Sequence, residues 1–455
     1  MQRRNFLKQS LAAATLLMVP KVSEAAVADL SQVSFDSGVY DANNAQTIVV
    51  FLYGAASQLS GNMSNYDEIK LKSQSDYSYF RGVTLTANEC WQEAGGSYME
   101  EMLNSGDMTL FRTCFSRVRE ENNNKAHGLC TLQNQTGNFD GSGGGIVANI
   151  ATLLKRAGKV TDQTILPFIM LEGESAFYQE GDEPLEAYLK PVALNEDLDN
   201  PYARGWQRDW RYYTPEERST APDDYYKDDT GFDPALHVKL DTLAQQTNSE
   251  GKIKEAFNRR AELDAFIETL KTKTTPSLGG DAYPADNRFA ARLETAVKVM
   301  VNNPDTKLIT MGADGLGGWD DHDDARGYVT RMESLFSSLK SAIAHLKAEN
   351  KEGSVNIMVF GEFGRNVNLN SALGWDHGNL QNLYVLGGTN YFQHNGVIGE
   401  TIVEDTGRIN RLFLKPKQDS YEFEPMSIAS TIYSLYGITN PEVLTSGYSP
   451  ISFLG

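Results

Sequence analysis

Cysteine is scarce in this 455-residue chain. Cys90, Cys114 and Cys130 are an odd number at irregular spacing, which excludes a disulfide framework. They also lack the paired spacing of a structural zinc site. Buried thiols are expected, with one bridge left open in an oxidising compartment. Positive charge is short as well: 41 lysines and arginines face 60 acidic residues, for a formal charge of -19. A surface that acidic repels nucleic acid and anionic lipid. The composition itself is that of a globular protein, and no internal repeat is visible. Apolar runs of membrane-spanning length are missing too, the N-terminal run over residues 11–19 being too short to cross a bilayer as a helix.

That run has a meaning of its own. It follows Arg3-Arg4-Asn5-Phe6-Leu7-Lys8, and small residues near Ala25 and Ala28 offer cleavage sites. Paired arginines ahead of a short apolar core are the pattern of a twin-arginine signal, which exports folded proteins. Residues 1–28 are therefore expected to be a signal peptide. Residues 29–455 are expected to form one domain working in the periplasm or outside the cell, with no transmembrane segment after cleavage.

The rest of the chain alternates strand and helix patterns. Residues 47–53 (TIVVFLY) form a continuous β-branched run ended by Gly54, the pattern of a strand buried on both faces. Further strands are expected at 108–114, 165–171, 307–311, 355–360 and 383–386. Helices are expected at 146–157, in three stretches over 235–301, at 328–350 and at 426–436. This order argues an α/β fold, a mostly parallel sheet with helices on both faces. Residues 172–302 break the pattern, beginning with an acidic, aromatic, irregular stretch. They read as an insertion covering one end of the sheet, where rings beside arginine could bind sugars or aromatic polymers or simply hold an irregular lid together.

Ligands of open α/β sheets bind beyond the carboxyl ends of the strands. Three segments there carry ionisable groups: Gly317-Gly318-Trp319-Asp320-Asp321-His322, then Glu362-Phe363-Gly364-Arg365, then Gly374-Trp375-Asp376-His377-Gly378. Carboxylates and imidazoles are the ligands of catalytic divalent ions, and His322 and His377 are two of only six histidines. A metal site is the sharper reading, and a hydrogen-bonded cluster tying strand ends together is the plainer one. His127, before Gly128, faces the same edge on position alone. His345 and His394 are expected at the surface.

These motifs, in this order, resemble the family known as domain of unknown function 1501, specifically over residues 307–399 and more loosely at 47–53 and around Ala126-His127. The resemblance implies an alkaline phosphatase-like fold and a hydrolase of phosphate or sulfate esters, with a small anionic ester or envelope polymer as partner. It implies a divalent ion (Zn, Mn, Mg or Ca) on Asp320, His322 and His377, with Glu362 at a second ion. Asp376 is implied as a ligand or as orienting His377, and Arg365 as a clamp for the anion. The wider group also places a metal-binding aspartate at the end of its first strand. Here the turn reads Gly54-Ala55-Ala56-Ser57, with no carboxylate before Asp67. Ser57 is the candidate nucleophile in that turn, and the gap puts a two-metal mechanism in doubt. The alternative is a non-catalytic envelope protein that keeps the fold for binding or assembly with a protein partner.

Overall fold

A computed structural model of the chain describes residues 30–72, 79–80, 82–171, 175–181, 183–198, 242, 252–407 and 411–453. The expected signal peptide and the aromatic part of the expected insertion lie outside the described residues. The main sheet has eight strands. In chain order they are β1 (Gln46–Leu52), β2 (Met108–Phe115), β3 (Phe168–Met170), β4 (Val192–Ala193), β5 (Leu308–Gly312), β6 (Val355–Gly361), β9 (Leu380–Gly387) and β10 (Gly396–Ile398). Two short strands, β7 (Gly364–Arg365) and β8 (His377–Gly378), pair with each other, and β11 (Thr401–Asp405) pairs with β12 (Leu412–Pro416).

Across the main sheet the order is β10-β2-β9-β6-β1-β5-β3-β4. β1 sits near the middle, parallel to β5 and β6. β9 alone runs the other way, antiparallel to both β6 and β2. The expected α/β class is thus borne out, with one reversed strand that the apolar run at 383–386 does not disclose.

β1 shows why the chain layers as it does. All seven of its residues are buried. Ile48, Val50 and Leu52 enter one apolar core, while Val49 and Phe51 enter the other, following the two-residue period of a strand. The first core is closed by α1 (Gly96–Asn104), α5 (Arg288–Asn302) and α6 (Gly327–Ala348), and the second by α4 (Ile146–Arg156) and α7 (Met426–Leu435). Between α1 and α4 in the chain come α2 (Arg117–Glu121) and α3 (His127–Thr136). In α6, Val329, Met332, Leu335, Phe336, Leu339, Ile343 and Leu346 are buried at helical spacing, each side chain contributing about 1.5–3 kcal/mol of burial.

Some boundaries differ from the expected ones. β3 is confined to Phe168–Met170, because Pro167 ends the donor ladder on its amino side. The hairpin β11–β12 is absent from the sequence reading, its alternation being interrupted by charge. Of the three helices expected over 235–301, the described residues show Lys252–Lys271 and α5. His345, expected at the surface, is 1 % exposed, with its Nδ1 3.2 Å from the Tyr283 hydroxyl. The three cysteines are free and buried. No described helix is long and apolar enough to cross a membrane.

Candidate metal centre

Strand direction assembles this site. β1, β2, β5 and β6 all end at one edge of the sheet, and β9, being reversed, begins there. After β2 the chain passes through α2 and enters α3 at His127. The loop after β5 carries Asp320 and His322, and β6 runs directly into Glu362. β7 and β8 then pair Arg365 with His377, so His377 reaches the edge just before β9 starts.

The two glycine-tryptophan loops are stitched together by their backbones. Trp375 N–H donates to Asp321 O at 2.7 Å, and Asn370 Nδ2 to His322 O at 3.0 Å. A Cβ at Gly374 would stand 2.1 Å from His322 O, so only glycine allows this approach. Trp319 and Trp375 are buried around Tyr328, with ring centroids 6.4 and 5.1 Å from it. Asp321 lies between two site residues yet turns inward, to Arg331 at 2.5 and 2.6 Å. Burial pushes its pKa up, against the pull of that arginine.

Four side chains converge: His127, Asp320, His322 and His377 each offer a ligand atom, all within 4.8 Å of one another. His377 Nε2 lies 3.0 Å from His127 Nε2 and 2.8 Å from His322 Nε2. Asp320 Oδ1 is 3.4 Å from Nε2 of both His127 and His322. Hydrogen-bond partners fix the tautomers. His377 Nδ1 is 2.7 Å from the Lys125 carbonyl oxygen, an acceptor only, so Nδ1 holds the proton and Nε2 a lone pair. His127 Nδ1 donates to Glu362 Oε2 at 2.5 Å. His322 Nε2 accepts from Arg365 Nη1 at 3.3 Å. Three ring nitrogens thus face one another with no donor of their own committed between them.

The cluster is of a kind that could hold a shared cation. Nitrogens held about 2.0–2.1 Å from a tetrahedral ion sit about 3.3 Å apart; four of the separations here are 2.8–3.4 Å and all lie within 4.8 Å. Without an ion, one proton does the work. Burial disfavours charge on His127, but hydrogen bonds to Asp320 and Glu362 outweigh it and raise its pKa to about 9. Burial first, then Arg365 and His127, push His377 down to about 4. Burial opposes the charge of Asp320, yet hydrogen bonds from His127 and Arg365 hold its carboxyl well below the usual range.

The expected site residues fall in different places. Asp320, His322 and His377 come together. Glu362 is 4 % exposed and stands behind His127, its other oxygen accepting from the Gly54 amide at 2.9 Å. It is a carboxylate–histidine partner of the kind that sets ligand orientation. Asp376 Oδ1 lies 3.7 Å from His322 Nδ1 and so flanks His322 rather than His377. Arg365 is fully buried, with acceptors for all five of its N–H groups. These are Ala55 O at 2.8 Å, Trp375 O at 3.0 Å, Gly54 O at 2.5 Å, Asp320 Oδ1 at 2.6 Å and His322 Nε2. With its fork turned inward onto these groups, Arg365 is not placed to clamp an incoming anion. Ser57 is 2 % exposed, and its hydroxyl accepts from the Leu59 amide at 3.4 Å.

Two residues carry more than the sequence reading gives them. His127 is a full member of the cluster, although its position before Gly128 was the sole signal. Arg119 was not singled out. It is fully buried and donates to Glu362 O at 2.8 Å, Gln133 Oε1 at 2.7 Å and Asn134 Oδ1 at 2.7 Å, and burial pushes its pKa down. Together with Asn134, which donates to Gly361 O at 2.6 Å, it fixes the end of β6 from which Glu362 projects.

The family described as Protein of unknown function (DUF1501) matches residues 44–401. No curated protein matches the chain. Solved structures that resemble it do so at low identity. Alkaline phosphatase from the Antarctic bacterium TAB5 is 10 % identical, with a TM-score of 0.31 over 86 % of this chain and 98 % of that one. The lipoteichoic acid synthase LtaP from Listeria monocytogenes is 10 % identical, with a TM-score of 0.34 over 92 % and 80 %. The PsFucS1 sulfatase from Pseudoalteromonas sp. is 10 % identical, with a TM-score of 0.34 over 90 % and 70 %.

Proposed function

The chain belongs to the DUF1501 family, and from that premise we propose that it is an exported, metal-dependent hydrolase-like protein acting on phosphate or sulfate esters through one divalent ion. The observation that carries this is the convergence of three imidazole Nε2 atoms and the Asp320 carboxylate on one point, with the far nitrogens of His127 and His377 already tied. A nitrogen-rich set favours zinc or a similar transition ion over magnesium or calcium, which prefer oxygen. Bound there, the ion supplies Lewis acidity toward an ester or a water molecule.

The chain's own residues do the rest. Glu362 and the Lys125 carbonyl hold His127 and His377 in the tautomers that present Nε2. Arg365 occupies the space at the end of β1, bonded to the carbonyls of Gly54 and Ala55 and to Asp320. A fixed guanidinium therefore stands beside the cluster where the turn after β1 lacks a carboxylate, which supports one ion rather than two.

Metal analysis of protein purified without chelator is the direct test. About one ion per chain is expected; none would end the metal reading, and two would end the single-ion one. With one ion and no second clamp on the opposite oxygen, turnover of simple aryl phosphates and sulfates is expected to be weak, about two to three powers of ten down. Rapid turnover would contradict that. Complete inactivity of the metal-loaded protein would favour the second reading, a non-catalytic binding or assembly protein. The burial of Ser57, whose hydroxyl faces the Leu59 amide, supports that reading.

Metal affinity should depend on pH in a defined direction. His127 holds a proton up to about pH 9 in the metal-free chain, and an ion must displace it. The apparent affinity should therefore climb about tenfold per pH unit from neutrality toward pH 9. A flat profile in that window would remove His127 from the ligands.

Export by the twin-arginine route rests on Arg3 and Arg4. The double lysine variant should accumulate as uncleaved precursor in the cytoplasm, while normal periplasmic yield would refute the route.

A further inference from the structure

A cleft of about 460 Å³ opens beside the cluster, within the range of small-molecule sites. His322 and His377 form one wall, and Asn123, Asn124, Lys125 and Arg411 form much of the rest. Two cations over one cleft are not the default in a chain of charge -19. We propose that this cleft is an anion subsite in which Arg411, seconded by Lys125, receives the tetrahedral oxyanion of the substrate. The inference rests on the metal-dependent reading above and gives it a substrate class: compact esters with a terminal phosphate or sulfate.

Arg411 suits the task that Arg365 cannot perform. Its side chain is 49 % exposed, and its ion-pair partner among the described residues, Asp376 Oδ2, lies 3.8 Å away. That is beyond hydrogen-bond reach, so the planar fork of donors stays available for bidentate contact with an oxyanion. Lys125 is similarly uncommitted. Its ammonium is 3.9 Å from Glu120 Oε2 and rests 5.0 Å over the Phe413 ring. Glu120 is meanwhile bonded by Lys415, at 3.0 Å, and by Asn379. The Lys125 carbonyl orients His377, so this residue links the subsite to the cluster. Asp376 is the acid in the cleft wall. Arg411 lies 3.8 Å and His322 Nδ1 3.7 Å from its two oxygens.

Calorimetric titration of the full-length, zinc-loaded chain with inorganic phosphate and with inorganic sulfate tests this. Arg411→Gln should weaken anion binding at least tenfold, and Lys125→Gln several-fold, both with unchanged metal content. Arg411→Lys should restore only part of the loss, because one ammonium does not reproduce the fork. Tighter phosphate binding would assign phosphate esters, and tighter sulfate binding sulfate esters. A wild type that holds zinc but binds neither anion would overturn the subsite. So would an Arg411→Gln variant that binds both anions as well as the wild type, or one that loses its metal. A wild type that holds no zinc would instead defeat the metal reading on which the subsite rests.

Discussion

Alanine at position 377 is expected to empty the metal centre while leaving the chain folded. His377 Nε2 is the atom between the other two ring nitrogens, 3.0 Å from His127 and 2.8 Å from His322. Its removal leaves two imidazoles and one carboxylate, three ligands in place of four, with Asp320 Oδ1 3.4 Å from each of the two rings. Changes one shell behind a metal already cost about ten- to a hundredfold in affinity, so loss of the central ligand should cost more than about a hundredfold. The structural cost is smaller. The side chain gives up one hydrogen bond to Lys125 O and a ring contact with Phe363 at 4.6 Å, about 1–2 kcal/mol in all. β9 itself is held by pairing on both sides and does not depend on that ring. Elemental analysis and thermal melting in chelator separate the two effects. Equal metal content in variant and wild type would remove His377 from the ligands.

The sheet was legible because its strands announce themselves. A run such as TIVVFLY, buried on both faces, has few alternatives to a central strand, and the helix over Gly327–Ala348 has an unbroken apolar period. The metal motifs were legible for a related reason: histidine beside aspartate and glycine, in loops after strands, has little to gain from burial. Strand direction was hidden. Nothing in the sequence around Leu380–Gly387 marks a reversal, since an apolar run reads the same both ways, yet that reversal brings His377 to the site. The role of Arg365 was hidden too. A single arginine after a strand can face outward to an anion or inward to carbonyls. Which it does depends on Gly54 and Ala55, more than 300 residues away along the chain.

Those same carbonyls make Arg365 the residue whose loss should destabilise the protein most. Its side chain is fully shielded from solvent, and it binds Asp320, His322 and the backbone oxygens of Gly54, Ala55 and Trp375 together. It thereby joins the ends of β1 and β6 to the loops that carry both metal motifs. In Arg365→Gln the charge is gone, Asp320 loses its buried partner, and three carbonyls have at most two N–H donors to share. Asp320 is itself more than half exposed and keeps its charge solvated, so the cost comes from the buried carbonyls left without donors, about 1–3 kcal/mol each, a large part of the about 5–15 kcal/mol that holds a typical domain. Arg365→Lys should recover little, because an ammonium presents a point charge with three donors where the site has a planar array of acceptors. Denaturant unfolding of wild type and both variants in chelator measures this without any contribution from a bound ion. A loss below about 1 kcal/mol in Arg365→Gln would show that the guanidinium is not what joins these strand ends. The expected loss, with Arg365→Lys close to Arg365→Gln, would mean that the centre is built around the planar donor array of the guanidinium, in place before any metal arrives.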